Sequence, residues 1–171
     1  MKNNEASKDI LVAMLCFEAK RWVGLTEEGQ NSGQLVKIFQ RAVDNRAEGE
    51  PWCMAFAQYC IKMAEIAASE LFSQCIGEIS TIFRSEHCLT VWNKSAHLQM
   101  DEPAKGSLCI WQKFNGDEAT ASGHTGIITD INPDGSISVV EGNSQIETRQ
   151  PEGVYLKRYA CLLYTSPSPR D

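Results

Sequence analysis

The chain has 171 residues, and at roughly 150 residues per domain this length predicts one domain that buries about two thirds of its unfolded surface. Hydrophobic residues make up 43% and charged residues 22% of the chain, which excludes disordered, collagen-like and coiled-coil proteins. The net charge is −6, and no basic run occurs. We therefore expect neither nucleic acid nor an anionic membrane surface as a partner.

The longest apolar stretch near the start covers residues 10–17 and follows Glu5 and Asp9. It is too short to cross a bilayer, and without a small-residue cleavage site it makes a poor signal peptide. We expect synthesis in the cytoplasm, no membrane insertion, and cysteines present as thiols. The seven cysteines form no Cys-x-x-Cys pair, which disfavours zinc-ribbon and thioredoxin-like proteins.

The last eleven residues, 161–171, change abruptly in composition. They resemble a sequencing adapter translated in one frame, and we interpret them as a non-native tail that is excluded from fold reasoning. The alternative is a natural Ser/Pro-rich tail. On the first interpretation the domain covers residues 1–160 and lacks its last strand.

The pattern of apolar residues changes near residue 100, from helical spacing to the alternation of strands. This order predicts an α+β fold in which N-terminal helices pack on a C-terminal antiparallel sheet. We predict helices after candidate caps at Ser7 and Ser32, a third that opens at Pro51 and runs toward Ala68, and a shorter one around 89–96. The first two core stripes comprise Leu11, Leu15, Ala19, Trp22 and Val23, and Leu35, Ile38, Phe39, Ala42 and Val43.

Four strands are predicted in the C-terminal part, at 108–111, 125–131, 136–140 and 154–159. The sequence Asn-Pro-Asp-Gly at 132–135 predicts a tight turn between two of them, because proline presets φ and glycine accepts a positive φ. A calcium loop would need further acidic residues at fixed spacing. The turn is therefore the better interpretation.

Cys53 lies in the first turn of the predicted third helix. Unpaired backbone N–H groups and the positive end of the helix dipole favour the thiolate there, and the thiolate is the reactive form of cysteine. The alternative is a small buried hydrophobic residue, which is the commoner role of a free cysteine.

A nucleophilic cysteine needs a base and a group that orients the base. His124 begins an apolar strand and has glycine at 123 and 126, whereas His87 and His97 are predicted to be loop or surface residues. If the strands around the 132–135 turn pair as a hairpin, Glu141 reaches the same end as His124. Taken alone, Glu141 could be an exposed strand-end carboxylate and Asn143 a turn residue.

Four segments together resemble the CHAP family, the cysteine, histidine-dependent amidohydrolases/peptidases of bacterial and phage cell-wall hydrolases. They are Glu28-Gly-Gln-Asn-Ser-Gly33, Pro51-Trp-Cys-Met-Ala-Phe56, Gly123-His-Thr-Gly126 and Glu141-Gly-Asn143. Order and spacing agree from about residue 20 to 160. The resemblance implies a papain-like fold, although Ser107 stands where such domains more often carry Asp.

Carried over residue by residue, the resemblance implies that Cys53 is the nucleophile and His124 the general base and then acid. It implies that Glu141 orients His124 and that Asn143 is an accessory polar residue. The second oxyanion donor, beside the Cys53 backbone N–H, is left open. No metal and no organic cofactor is implied.

Four further residues are candidates for substrate binding. Trp52 and Trp111 either line the groove or pack in the core. Asn31 either shapes the groove or begins a turn, and Gly123 leaves room for a substrate backbone. None of these alternatives is decided by the sequence.

The expected function is peptidoglycan hydrolysis by an endolysin-like enzyme, as an endopeptidase or an N-acetylmuramoyl-L-alanine amidase. Its partner is then peptidoglycan, its site of action is the bacterial cell wall, and a holin delivers it. We expect a monomer. The alternatives are a CHAP-type amidase acting on a small peptide–polyamine conjugate, and a non-catalytic wall-binding or phage structural module.

Overall fold

A computed structural model of the chain describes residues 2–71 and 82–160. Within these ranges the helices come first and the strands follow, which confirms the predicted α+β order. The helices are α1 (Lys2–Arg21), α2 (Gln34–Asp44), α3 (Cys53–Leu71) and α4 (Cys88–Lys94), with a short 3-10 helix at Ala96–Leu98. The strands are β1 (Leu108–Asn115), β2 (Glu118–Ile131), β3 (Ile137–Ser144) and β4 (Gly153–Tyr159).

Helix α3 lies at the centre of the protein, against α1 and α2 and against β2 and β3. Its first turns are buried on every side, from Trp52 to Gln58. A helix that is apolar all round belongs in the interior of a domain. The start of α3, where Cys53 lies, is therefore enclosed by the rest of the fold.

The predicted helix boundaries and stripes need several corrections. Helix α1 begins before Ser7, and α2 begins after Gly33, which adopts φ 133° and makes no side-chain cap. Pro51 precedes α3 by two residues instead of opening it. Val23 and Ile38 are 42% and 44% exposed. Val23 follows the end of α1, and Ile38 lies beside rather than on the stripe of Val36 and Phe39.

The four strands form one antiparallel sheet in the order β1-β2-β3-β4. The pairing of β2 with β3 includes Ile127 opposite Val140, and the 132–135 turn closes this hairpin as predicted. Gly135 there has φ 80° and donates to the Asn132 carbonyl at 2.9 Å. Strands β1 and β2 are longer than predicted, because they continue into an exposed hairpin that Gly116, with φ 63°, helps to turn.

Adjacent residues in each strand pack on opposite faces of the sheet. Leu108, Ile110, Ile127, Val140 and Val154 pack with the helices in the main core. Cys109, Trp111, Ile128, Ile137, Val139 and Tyr159 form a smaller cluster on the other face. This is the alternation expected for strands, and it places His124 and Glu141 on the face of the smaller cluster.

Among the described residues, none of the helices has the length and apolar character needed to cross a bilayer. The predicted foreign tail at 161–171 lies outside the described residues, as does part of the predicted loop after α3. The single-domain boundary at residue 160 stays a prediction.

Candidate active site

Cys53 is the first residue of α3 and is 5% exposed. The carbonyl of the preceding residue, Trp52, accepts the Phe56 N–H at 2.9 Å, so Trp52 occupies the N-cap position. The backbone N–H of Met54 contributes to lowering the pKa of the Cys53 thiol. The first-turn location predicted from the sequence is confirmed, and it directs helix N–H groups at the thiol.

His124 and Glu141 meet across β2 and β3. The distance between His124 Nε2 and Glu141 Oε2 is 2.9 Å. The imidazole also interacts with Cys53, and this interaction lowers the pKa of the thiol and raises that of the imidazole. Since Nε2 faces Glu141, Nδ1 is the ring nitrogen left to face the thiol. The structure thus brings together the thiol, imidazole and carboxylate that the sequence proposed.

Gly126 leaves the space through which the Glu141 side chain passes. A Cβ built on Gly126 would lie 2.8 Å from Glu141 Cγ and 2.4 Å from Val139 Cγ1. Contacts below 3.0 Å require a neighbour to shift, so any side chain here would displace the carboxylate. The absence of a side chain at Gly126, the second glycine of the Gly-His-Thr-Gly segment, therefore allows Glu141 to occupy its observed position.

Glu141 is completely buried, and several donors surround its carboxylate. Lys157 Nζ lies 3.0 Å from Oε2, Ser144 Oγ donates to the same oxygen at 2.8 Å, and the Tyr159 hydroxyl donates to Oε1. Burial by itself raises the pKa of Glu141, but the hydrogen bonds from His124, Tyr159 and Ser144 outweigh it and hold the pKa at about 2. The carboxylate is therefore charged at neutral pH.

The electrostatics of the site favour a thiolate–imidazolium pair. The pKa of Cys53 falls to about 4, first because of the hydrogen bond with Cys88 and then because of the interaction with His124, against the effect of burial. Burial lowers the pKa of His124, but hydrogen bonds with Cys53 and Glu141 outweigh it and raise the pKa to about 9. Although Cys53 is buried, these interactions favour its thiolate over the protonated thiol that burial alone would favour.

The remaining cysteines for which the structure has a description behave in the opposite way. Burial raises the pKa of Cys16 and Cys60, and it raises that of Cys109 to about 12. The pKa of Cys88 is also raised, first by its hydrogen bond with Cys53. Within the described ranges, Cys53 is the only cysteine with a lowered pKa.

Asn143 joins the end of β3 to the start of α3. Its Oδ1 accepts the backbone N–H of Trp52 at 3.0 Å, and its Nδ2 donates to Asn31 Oδ1 at 3.2 Å and to the carboxylate of Glu152. Asn143 and Asn31 both have positive φ, 53° and 48°, a conformation that asparagine tolerates better than most residues. Asn143 thus braces the helix start rather than touching the sulfur.

The four candidate substrate-binding residues have different surroundings. Trp52 is fully buried, stacks on Phe39 and donates from Nε1 to a glutamate carboxylate, so the core-packing alternative fits it and contact with a substrate does not. Trp111 is half-buried and stacks on the His124 ring with centroids 5.8 Å apart. Asn31 lies in the Asn143 network, and Gly123 immediately precedes His124.

Sequence reasoning missed several residues of this site. Lys157 and Tyr159 lie two residues apart in β4, so their side chains share the face of the sheet that carries Glu141. This spacing was the signal in the sequence that could have indicated them. Ser144 follows Glu141 by three residues across a register shift. Nothing in the sequence indicated Cys88, which is 35 residues from Cys53 along the chain.

The helices packed on an antiparallel sheet, with a thiol from the start of α3 gathered beside an imidazole from β2 and a carboxylate from β3, are typical of amidase and peptidase hydrolases. The family model of the CHAP domain matches residues 45–143, which is more than half of the chain. The chain therefore belongs to the CHAP domain family. The match includes Cys53, His124, Glu141 and Asn143. Comparison with curated proteins and with solved structures gave no match.

Proposed function

We propose that this protein hydrolyses amide bonds of peptidoglycan with Cys53 as nucleophile, as an endopeptidase or as an N-acetylmuramoyl-L-alanine amidase. The observation that carries the proposal is the arrangement of Cys53, His124 and Glu141: the imidazole lies 2.9 Å from the Glu141 carboxylate, and its interaction with Cys53 lowers the pKa of the thiol. Membership of a family of amidases and peptidases that act typically on peptidoglycan supports the substrate class.

In the proposed mechanism the Cys53 thiolate attacks the carbonyl carbon of the scissile amide. The backbone N–H at the start of α3 is placed to stabilise the oxyanion of the tetrahedral intermediate. The protonated His124 then gives its proton to the departing amine, and an acyl-enzyme remains on Cys53. His124, now neutral, takes a proton from water, which hydrolyses the thioester and regenerates the thiol.

Glu141 has a positioning role in this mechanism. It fixes the ring through Nε2, leaves Nδ1 toward the sulfur, and stabilises the charged ring electrostatically. Trp111, which stacks on the imidazole with ring centroids 5.8 Å apart, restricts rotation of the ring. Both contacts keep the proton-transfer geometry the same in the free enzyme and during the reaction, which reduces the cost of reorganisation.

The test is mass spectrometry of soluble fragments released from purified peptidoglycans of several cross-link types. We expect wild-type protein and the matched control Cys60→Ala to release fragments, because Cys60 lies in the core of the same helix. Cys53→Ala should lower release by a factor on the order of a thousand or more. The new amine terminus, on alanine or on a bridge residue, identifies the bond.

Release that does not depend on Cys53 would refute the nucleophile assignment. No release from any wall by a protein that shows a cooperative thermal melt would refute the substrate. In that case a peptide–polyamine conjugate is the next substrate to assay, and absence of turnover there too would favour a non-catalytic wall-binding or phage structural module. Delivery by a holin, action at the cell wall and the monomeric state stay predictions.

A further inference from the structure

A second thiol lies against the sulfur of Cys53. The distance between Cys53 Sγ and Cys88 Sγ is 3.7 Å, and the two residues are 5% and 4% exposed. They are the first residues of α3 and α4. The sulfurs of Cys16 and Cys109 instead contact backbone carbonyls outside the site. The pairing of two thiols is therefore specific to Cys53 and Cys88 among these four residues.

The position of Cys88 is set by packing of α4 on β2. A Cβ built on Gly123 would lie 3.0 Å from Cys88 Cβ and 2.9 Å from the Trp111 carbonyl oxygen. The absence of a side chain at Gly123 lets the start of α4 rest on the strand that carries His124. The second thiol is thus held in the site by the same strand that supplies the imidazole.

We propose that Cys88 is a resolving thiol: when a peroxide oxidises Cys53, Cys88 closes a Cys53–Cys88 disulfide that blocks the nucleophile reversibly. The loss of activity in this proposal rests on the proposed function, because it requires Cys53 to be the nucleophile. Formation of the disulfide does not depend on that function, since it follows from the contact between the two sulfurs.

The geometry requires a small movement. A disulfide bond is about 2.05 Å long, so the two sulfurs must approach by about 1.7 Å from their separation of 3.7 Å. Because the sulfurs already face each other, side-chain rotation supplies most of this approach. Cys53 keeps a small exposed area, and hydrogen peroxide is little larger than water.

The first step oxidises Cys53. Its thiolate attacks one oxygen of the peroxide, an S–O bond forms and the O–O bond breaks. The sulfur loses two electrons, and the peroxide is reduced. His124 gives its proton to the departing hydroxide, which leaves as water, so the products are a sulfenic acid and a neutral imidazole.

The second step closes the bridge. Neutral His124 accepts the proton of the Cys88 thiol, and the Cys88 thiolate attacks the sulfenyl sulfur of Cys53. The S–S bond forms, the S–O bond breaks, and the hydroxide takes the proton back from His124 and leaves as water. In sum, one peroxide and two thiols give one disulfide and two waters. A dithiol reductant reverses the bridge by thiol–disulfide exchange.

The charges of the two thiols suit these roles. The lowered pKa of Cys53 makes it the thiolate that attacks a peroxide, whereas the raised pKa of Cys88 keeps it protonated and unreactive until the sulfenic acid forms. Without a resolving thiol, further peroxide converts a sulfenic acid to a sulfinic acid, which a thiol reductant does not restore. Cys88 would thereby protect the nucleophile.

The experiment uses the full chain carrying Cys60→Ala, with and without the further substitution Cys88→Ala. The background change leaves Cys53 as the only cysteine in the tryptic peptide 47–62, and Cys88 is the only one in peptide 85–94. Each protein is treated with hydrogen peroxide and then with dithiothreitol. Mass spectrometry follows the linked peptides and the oxidation state of Cys53, and activity is compared with that of the same protein before oxidation.

We expect linked peptides with the loss of two hydrogens in the protein that retains Cys88, and nearly full recovery of activity after reduction. Because Cys88 contributes to the lowered pKa of Cys53, the two proteins are compared at the same fraction of activity lost; at that point the Cys88→Ala protein should hold more sulfinic Cys53 and recover several-fold less. Sulfinic Cys53 without linked peptides when Cys88 is present, or equal recovery in both proteins, would overturn the proposal. If neither protein is active before oxidation, the proposed function has failed. The presence or absence of linked peptides still shows whether the Cys53–Cys88 disulfide forms.

Discussion

Asn143 Oδ1 accepts the backbone N–H of Trp52 at 3.0 Å, and this bond ties the end of β3 to the residue that caps the helix of Cys53. The two residues are 91 positions apart in the sequence. One amide group thus links the strand that carries Glu141 to the helix that carries the thiol. The relative position of the candidate nucleophile and its orienting carboxylate depends on this link.

Replacement of Asn143 by glycine preserves the positive φ but removes the amide. We expect Asn143→Gly to lower the free energy of unfolding by about 1–3 kcal/mol, because the Trp52 N–H loses its acceptor, and to slow alkylation of Cys53. Urea denaturation and iodoacetamide labelling measure the two effects. The control is Asn45→Gly, at an exposed residue with φ 70° whose backbone makes the helix cap bond; equal destabilisation in both variants would contradict the role of the amide.

The reactivity of Cys53 should have an unusual pH dependence. A pKa lowered to about 4 makes it a thiolate above that pH, and His124, with its pKa raised to about 9, stays protonated below that value. We therefore expect iodoacetamide to label Cys53 at pH 5 to 6, and kcat/KM to fall below about pH 4 and above about pH 9. In His124→Ala the labelling midpoint should move up, toward the value near 8.5 of an ordinary thiol. A wild-type midpoint already near that value would refute the ion pair.

Tyr159→Phe removes one donor to Glu141. We expect a loss of about 0.5–1.5 kcal/mol in the free energy of unfolding at neutral pH and a lower kcat with little change in KM. Tyr155→Phe is the matched control, since its hydroxyl donates to the Pro151 carbonyl on the surface. The Tyr159 hydroxyl stabilises the charged carboxylate of Glu141, and this interaction is one cause of the lowered pKa of Glu141.

The same substitution has a defined pH dependence. A carboxylate with a lowered folded-state pKa stabilises the fold above its unfolded pKa, near 4.5, and this contribution is lost as the pH falls toward about 2. The stability difference between wild type and Tyr159→Phe should therefore shrink between pH 4.5 and 2. A difference that stays constant over this range would mean that the hydroxyl does not act on the charge of Glu141.

Gly126→Ala should disturb both packing and function. Its Cβ would press on Val139 and on Glu141, and overpacking of this kind typically costs about 1–3 kcal/mol. We expect a lower melting temperature together with a fall in kcat, because Glu141 moves away from His124. Gly29→Ala is the control, since its Cβ meets only the Ser32 hydroxyl at 3.0 Å, which can rotate. If the Gly126→Ala protein is destabilised but its kcat is unchanged, Gly126 is not required for the catalytic position of Glu141.

The sequence by itself determined the order of helices and strands, the turn at 132–135 and the candidates Cys53, His124, Glu141 and Asn143. These are local features, since apolar periodicity, turn residues and a cysteine at a helix start are properties of short segments. The hairpin argument also brought His124 and Glu141 together, because pairing across a short turn leaves few registers.

Only the tertiary structure decided the contacts between distant segments. The approach of Cys88 to Cys53, the donors from β4 around Glu141 and the burial of Trp52 depend on how α4 and the sheet pack against α3. Helix ends also shifted, because packing overrides the preferences of Ser7, Ser32 and Pro51 for capping positions. Such contacts follow from the packing of the whole fold, which no local pattern in the sequence encodes.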